Sequence, residues 1–447
     1  MSDLLIKNGQ VIGVKNQEIQ DILIQDELII SISSQIHPPE NCEIIDANGK
    51  WIFPGVIDPH THMGIPIKNS HSADTFASGS RSALHGGVTT ILDFSVLESG
   101  QSLTESLNTR IELAGASLCD VGIHVNITRF EPELLGEIPE LIARGFNSFK
   151  VFTTYAEADM MLNYDQIESV AAIIAQHQGV LMVHSEDNDV IRRASDPLTH
   201  GNETHPRYHG LSRPAEAELV AIGRLGEISA RTNCTIYIVH LNTAAGLAKA
   251  AEYPLLKVET CPHYLLLSDK MYERPDGQMF VSSPPLRSQT DCDALWLGLQ
   301  KGQVHTIGSD HCPFCLADKP QGTPFQDIPN GMGGVETLFP ILLAQFMERQ
   351  LDLELLVRLT SRNPAEIFGL DHLKGSIKAG LHADLLIVDP WSITENWESR
   401  LDTSLDWNAY AGLPALFPET VIRRGEIVAS KTLQGNISRG RLLISDQ

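Results

Sequence analysis

The chain has 447 residues, with 33 Lys plus Arg against 56 Asp plus Glu and a formal charge of −23 when its 17 histidines are neutral. A balance this acidic excludes the basic footprint by which nucleic-acid binders and proteins of anionic membranes neutralise phosphates. With 42% hydrophobic and 20% charged residues, the chain can bury a core that a disordered sequence could not.

The N-terminal MSDLLIKNGQVIGV has no basic segment leading into an apolar stretch. No run anywhere approaches the roughly 18 to 20 apolar residues that span a bilayer. The expectation is a cytoplasmic protein. Seven scattered cysteines, an odd number (Cys42, Cys119, Cys234, Cys261, Cys292, Cys312, Cys315), do not read as a disulfide framework and fit reduced thiols. Residues 1–50 hold the alternating runs LLIKNGQVI and DILIQDELIISI, broken by Asn-Gly and acidic turns, the pattern of hairpin strands. The same texture returns only in HADLLIVDP (382–390) and TVIRRGEIVAS (420–430). Both ends are therefore expected to build one small β-sandwich domain from segments 1–50 and 374–447, with residues 51–373 inserted between them.

The inserted middle alternates short apolar runs with segments of helical periodicity. Eight runs stand out: WIFPGVIDP (51–59), GVTTILDFS (87–95), VGIHVNIT (121–128), SFKVFTT (148–154), VLMVHS (180–185), CTIYIVHL (234–241), KVETCP (257–262) and VHTIGSD (304–310). Between them, segments such as YDQIESVAAIIAQH (164–177) and PAEAELVAIGRLGEISAR (214–231) space apolar residues as one helix face does. Apolar strands followed by helices mean a parallel sheet buried on both faces. Eight repeats point to an α/β fold, a (β/α)8 TIM-like barrel. An open doubly wound sheet is the alternative, but no glycine-rich phosphate fingerprint follows the first run.

What ends each run is informative. The first enters Asp58-Pro59-His60-Thr61-His62, the fourth carries Lys150, the fifth ends at His184, the sixth at His240 and the eighth at Asp310. In a barrel these positions share the C-terminal mouth, where the fold places its chemistry. His60 and His62 are two apart, so in an extended segment they project to one side and can share a divalent ion such as zinc. Lys150, between Phe149 and Val151, is expensive as a buried cation. Either its stem packs along the strand and the ammonium reaches a carboxylate, or the neutral amine captures carbon dioxide and the resulting carbamate bridges two metal ions.

Taken together, PGVIDPHTH, the lysine of FKVF, the histidines of MVHSE and IVHL, and the aspartate of GSDHCPF resemble the amidohydrolase superfamily. The resemblance extends through SRNPAEIFGL (361–370) and KGSIKAGLHADLLIVDP (374–390), and so over essentially the whole chain. GSDHCPF, SSPPLRS, ETCPHYL and YHGLSRPAEAE are most similar to the dihydropyrimidinase and hydantoinase branch, the cyclic-amide hydrolases. This implies that His60, His62 and Asp310 bind one metal, that His184 and His240 bind another, and that carbamylated Lys150 bridges the two. It further implies two divalent ions per chain, Zn2+ foremost, with a bridging hydroxide as nucleophile and Asp310 as proton carrier. Tyr155 is implied as a catalytic substrate contact that stabilises the developing oxyanion, and Ser283 and Asn330 as substrate contacts acting mainly through backbone groups. The implied substrate is a small neutral cyclic ureide opened to an N-carbamoyl amino acid, and the implied assembly a homodimer or homotetramer.

Two sister activities compete. A dihydroorotase-like enzyme would follow His-x-His with an arginine for the substrate carboxylate, whereas here His62 precedes Met63-Gly64-Ile65-Pro66. An allantoinase shares the hydantoin ring and is set apart by DHCPF and Tyr155. A noncatalytic scaffold is a third reading, opposed by the six intact ligand positions. Thr153 to Glu157 departs from the usual lysine-to-tyrosine segment, so the exocyclic preference stays open. Cys312-Pro313-Phe314-Cys315 has no second pair elsewhere and is not read as a separate zinc or redox site. His263 is read as part of a structural turn, His205 and His209 as loop residues, and Asp74 and Glu186 as supports for the ligands or helix starts.

Overall fold

The computed structural model describes residues 3–13, 18–68, 70–198, 205–403, 405–430 and 432–446. All eight expected runs contribute a strand to a single parallel sheet. Its members are Val56–Thr61, Val88–Phe94, Asp120–Asn126, Ser148–Phe152, Val180–His184, Thr235–Ile238, Leu256–Thr260 and Thr306–Ile307, each paired with the next in chain order. A parallel bridge between Thr61 and His311 joins the first strand to the segment after the eighth and brings the sheet round into a nearly closed barrel. Helices follow the strands and cover the outside, among them Phe76–Gly86, Leu103–Ala114, Tyr164–Gln176 and Ala215–Thr232. Their starts are written locally. Thr75, Ser102 and Asn163 each accept from the backbone N–H three residues on, while the residue there returns a side-chain bond.

Nine further strands, drawn from both ends of the chain, make a mixed sheet beside the barrel. Leu4, Ile6, Ile22, Ile24, Ile52, Leu385 and Ile387 bury one face of it in a core of its own. The expected single strand 51–59 is divided between the two sheets. Trp51–Pro54 pairs with Leu385–Val388, and Val56–Thr61 enters the barrel. Gly55 makes the crossing, donating its N–H to Asp384 O at 2.7 Å. A Cβ there would stand 2.3 Å from Thr89 Oγ1, so the passage admits only glycine without rearrangement.

A buried polar cluster fastens the two sheets together at this level. Lys374 Nζ donates to Asp120 Oδ2 (2.8 Å) on the third barrel strand and to Asp384 Oδ2 (2.7 Å) just before Leu385–Val388. Among the described residues no helix is long and apolar enough to cross a membrane, and the seven cysteines are all unpaired.

Candidate metal centre

At the C-terminal rim the pleat sets His60 and His62 on the same side, with ring centroids 4.9 Å apart. Both face Asp310 from across the barrel closure, His60 Nε2 at 3.3 Å and His62 Nε2 at 3.1 Å from Oδ1. One potential ligand atom from each of the three lies within 4.8 Å of the others. His60 stacks on His240 at 5.5 Å, and His240 meets His184 edge-on at 4.6 Å, so four imidazoles form one continuous group.

The proton positions on these rings follow from their partners. Glu259 Oε1 lies 2.7 Å from His60 Nδ1, which therefore donates and leaves the Nε2 lone pair free. His184 Nε2 lies 2.8 Å from Glu186 Oε2. Burial alone would raise the Glu186 carboxyl, but Arg213 holds it well below the usual carboxylate range. An ionised Glu186 can only accept, so His184 donates from Nε2 and keeps a lone pair on Nδ1. Burial pushes the His184 imidazole down to about 4 and that of His240 well below its ordinary value, so both are neutral near pH 7. Asp310 is opposed: burial would raise it, yet His60 and His62 hold it well below the usual range.

Lys150 lines the same cavity as this group and is 2% exposed. Its Nζ sits 5.0 Å from the Phe94 ring centroid and 5.4 Å from that of Phe152. Among the described residues no carboxylate forms an ion pair with it. Of the two sequence readings, the lysine reaching for a carboxylate is not the arrangement seen. Burial lowers its ammonium to about 8, which makes a reactive neutral amine accessible near physiological pH.

Tyr155, Ser283 and Asn330 converge on the same space. Asn330 Nδ2 donates to Ser283 Oγ at 2.8 Å, and Ser283 lies beside the Tyr155 phenol. The Tyr155 ring contacts that of His184 at 5.0 Å, and its backbone is left-handed, with φ of 68°. His240 and Asp310 are left-handed too, at 42° and 48°. Such conformations cost about 1–3 kcal/mol each in a residue with a side chain and persist only where packing imposes them. All nine residues singled out in the sequence line a single cavity of about 1360 Å³, whose outer wall includes Ile65, Leu97, Phe152 and Met160.

Several secondary expectations change. His209 is buried and donates to Ser282 O at 2.7 Å, so it props the Ser283 segment from inside and is not a solvated loop residue. His205 remains in a loop, 3.5 Å from Glu273. His263 lies in the short helix Pro262–Leu266 after strand seven, buried against Tyr264. Asp74 pairs with His311 at 3.0 Å, not with any of the four clustered histidines. Near Met63 a guanidinium does appear, that of Arg110. It donates to Met63 O at 2.6 Å and pairs with buried Asp93, so it is turned away from the cavity.

Sequence reasoning missed Glu259 and the role of Arg213. The first was detectable: a glutamate inside the apolar strand KVETCP is as anomalous as Lys150. The second was not, because nothing local to SRPAEAE says that Arg213 reaches Glu186 in another loop.

The donor set suits divalent metal ions. His60 Nε2, which is turned toward Asp310 Oδ1, is buried without a hydrogen-bond partner among the described residues. Lone pairs withdrawn from water and left unmatched are costly unless an ion meets them. Imidazole nitrogens with one carboxylate oxygen are the ligands zinc and its neighbours prefer.

Residues 51–428 match the amidohydrolase family, and the chain belongs to it. Its similar relatives in that family include hydantoinases and dihydropyrimidinases. It is 35% identical to D-phenylhydantoinase of Escherichia coli O1:K1 over 453 aligned positions, covering 98% of this chain and 97% of that one. Its fold superposes on dihydropyrimidinase from Brevibacillus agri with a TM-score of 0.95 at 31% identity, over 99% of both chains. D-hydantoinase (dihydropyrimidinase) from Thermus sp. gives 0.94 at 30% identity, again over 99% of each.

Proposed function

We propose that this protein hydrolyses the cyclic amide bond of hydantoins and dihydropyrimidines, releasing N-carbamoyl amino acids. One observation carries the reading: four clustered imidazoles, a buried lysine and an ionised aspartate share a single cavity with Tyr155, Ser283 and Asn330. Near-complete coverage of hydantoinase relatives supports the substrate class. His60, His62 and Asp310 would hold one divalent ion and His184 and His240 a second, with Lys150, as its carbamate, shared between them. Zn2+ is the ion this donor set favours. Such a pair supplies a water activated for attack near neutral pH and polarises the substrate carbonyl.

The remaining steps fall to the chain. Tyr155, its phenol pushed up to about 12 by burial, stays protonated and donates to the carbonyl oxygen as negative charge develops there. Ser283 and Asn330 hold the ring edge through backbone groups, and the Asn330–Ser283 bond fixes the two segments relative to each other. Asp310 is ionised before reaction, and with Oδ1 turned to His60 and His62 its other oxygen, Oδ2, takes the water proton and delivers it to the leaving ring nitrogen. The water oxygen–carbon bond forms, the carbon–ring nitrogen bond breaks, and the proton balance closes on that nitrogen. The reading includes a cytoplasmic homodimer or homotetramer, which light scattering distinguishes.

The test is a panel of dihydrouracil, hydantoin, 5-substituted hydantoins, allantoin and dihydroorotate, assayed with zinc-reconstituted protein. Turnover of the first three groups is expected. Turnover of allantoin or dihydroorotate alone would assign the chain to a sister activity, and no turnover with no bound metal would favour a scaffold.

A further inference from the structure

Arg213 immediately precedes the helix start at Pro214, outside every motif that carries a presumed ligand, and is 7% exposed. Its guanidinium makes two kinds of contact at once. Toward the barrel it forks onto Glu186, with Nη2 2.6 Å from Oε2 and Nε 3.2 Å and 3.1 Å from the two oxygens. Toward the cavity its central carbon lies 5.0 Å from the centroid of the Tyr155 ring. Glu186 Oε2, the oxygen it grips, is the one that faces His184 Nε2. Thr153 fastens the same two loops from behind, its hydroxyl donating to Glu186 O at 2.8 Å and accepting from Glu186 N at 3.0 Å.

We propose that Arg213 is a positioning residue that couples two parts of the site: through Glu186 it fixes which nitrogen of His184 is free to bind metal, and through its cationic face it seats the Tyr155 ring. The inference rests on the proposed metal-dependent hydrolysis. Its physical basis is the planarity of the guanidinium. A fork can satisfy a carboxylate along its edge while presenting a face to an aromatic ring, which an ammonium cannot do. Glu186 is fully buried, so losing Arg213 would leave its carboxylate without the fork that orients it and His184 Nε2 without a fixed acceptor. Tyr155, held in a left-handed backbone, would at the same time lose the contact on its ring face.

The experiment compares wild type with Arg213→Met, Arg213→Lys, Glu186→Gln, Tyr155→Phe and the Arg213→Met/Tyr155→Phe double variant, each checked for folding by circular dichroism. Zinc affinity is read by chelator competition and kinetics on hydantoin. Wild type is expected to bind two ions. Arg213→Met should weaken one of them roughly 10- to 100-fold, the usual consequence of losing a support behind a histidine ligand. Glu186→Gln should reproduce that metal defect, and Arg213→Lys should recover little of it. On kcat/KM at saturating zinc, the Arg213→Met and Tyr155→Phe losses should be non-additive, because the first already unseats the tyrosine. Unchanged zinc affinity in both Arg213→Met and Glu186→Gln, or additive kinetic losses, overturns the coupling. Should Arg213→Met fail to fold, Glu186→Gln and Arg213→Lys decide the metal arm. Wild type that binds no zinc overturns the hydrolase reading itself, which separates the two failures.

Discussion

Glu259 Oε1 stands 2.7 Å from His60 Nδ1, at a point where both side chains are all but completely withdrawn from solvent. The same carboxylate accepts from the His240 backbone N–H at 2.9 Å and from the Tyr237 hydroxyl at 2.8 Å. One side chain on strand seven thus orients a ring from strand one and anchors the left-handed turn that presents His240.

Replacing Glu259 with Gln keeps the volume but offers His60 an amide whose NH2 end cannot accept. Zinc affinity should fall roughly 10- to 100-fold, with activity largely restored by excess zinc. Chelator competition measures the first and a zinc titration of activity the second. An affinity equal to wild type would mean that His60 does not depend on Glu259 for its orientation.

Tyr155→Phe removes the hydroxyl and keeps the ring that contacts His184 and Arg213. If the phenol donates to the developing oxyanion, kcat should drop on the order of 10²- to 10³-fold. Metal content by mass spectrometry should stay at the wild-type value, because the hydroxyl is not in the donor set. A loss of metal parallel to the loss of rate would instead make Tyr155 a structural support.

These residues divide by how far their signals travel in sequence. The eight strands were legible because apolar runs of strand length recur with helices between them, and the rim followed because a barrel sends every strand end to the same face. Lys150 and Glu259 are visible as charges inside apolar strands. The division of 51–59 at Gly55 was hidden, since Trp51–Pro54 and Val56–Thr61 are equally apolar and only the pairing with Leu385–Val388 separates them. Arg213 was hidden for a related reason: its partners Glu186 and Tyr155 lie 27 and 58 positions upstream and meet it only once the loops of strands four and five are stacked.

Gly55 offers a test of how tightly the two sheets are joined. An added methyl would meet Thr89 Oγ1 at 2.3 Å and Asp384 Cβ at 2.9 Å. Thr89 donates to Asp384 Oδ2, the oxygen that also takes Lys374 Nζ, so the clash would be transmitted into the buried polar cluster. Gly55→Ala should destabilise by about 1–3 kcal/mol, the usual range for overpacking a filled site. A lowered urea midpoint would record it, and adding Thr89→Ala should return part of the loss by clearing the nearest atoms.

Glu218 predicts a stability change that needs no metal or substrate. It is buried on the helix Ala215–Thr232 and accepts from the backbone N–H groups of Asn242 (3.0 Å) and Thr243 (2.9 Å), so it holds the loop that follows His240. Burial pushes its carboxyl up to about 7, against the opposing effect of Thr243 and Arg287. Between the ordinary value of 4.5 and that raised value, the folded chain keeps a proton that the unfolded chain has released. Stability from this group is therefore fully present below 4.5 and is lost as pH rises through 7. At 1.36 kcal/mol per pH unit the loss is about 3 kcal/mol. Glu218→Gln cannot ionise but turns its NH2 on one of the two backbone donors, so its melting temperature should start below wild type at low pH and gain on it steadily toward neutrality, with no further change in the difference at alkaline pH. Parallel melting curves for the two proteins across that interval would show that Glu218 ionises in the folded chain as readily as in the unfolded one.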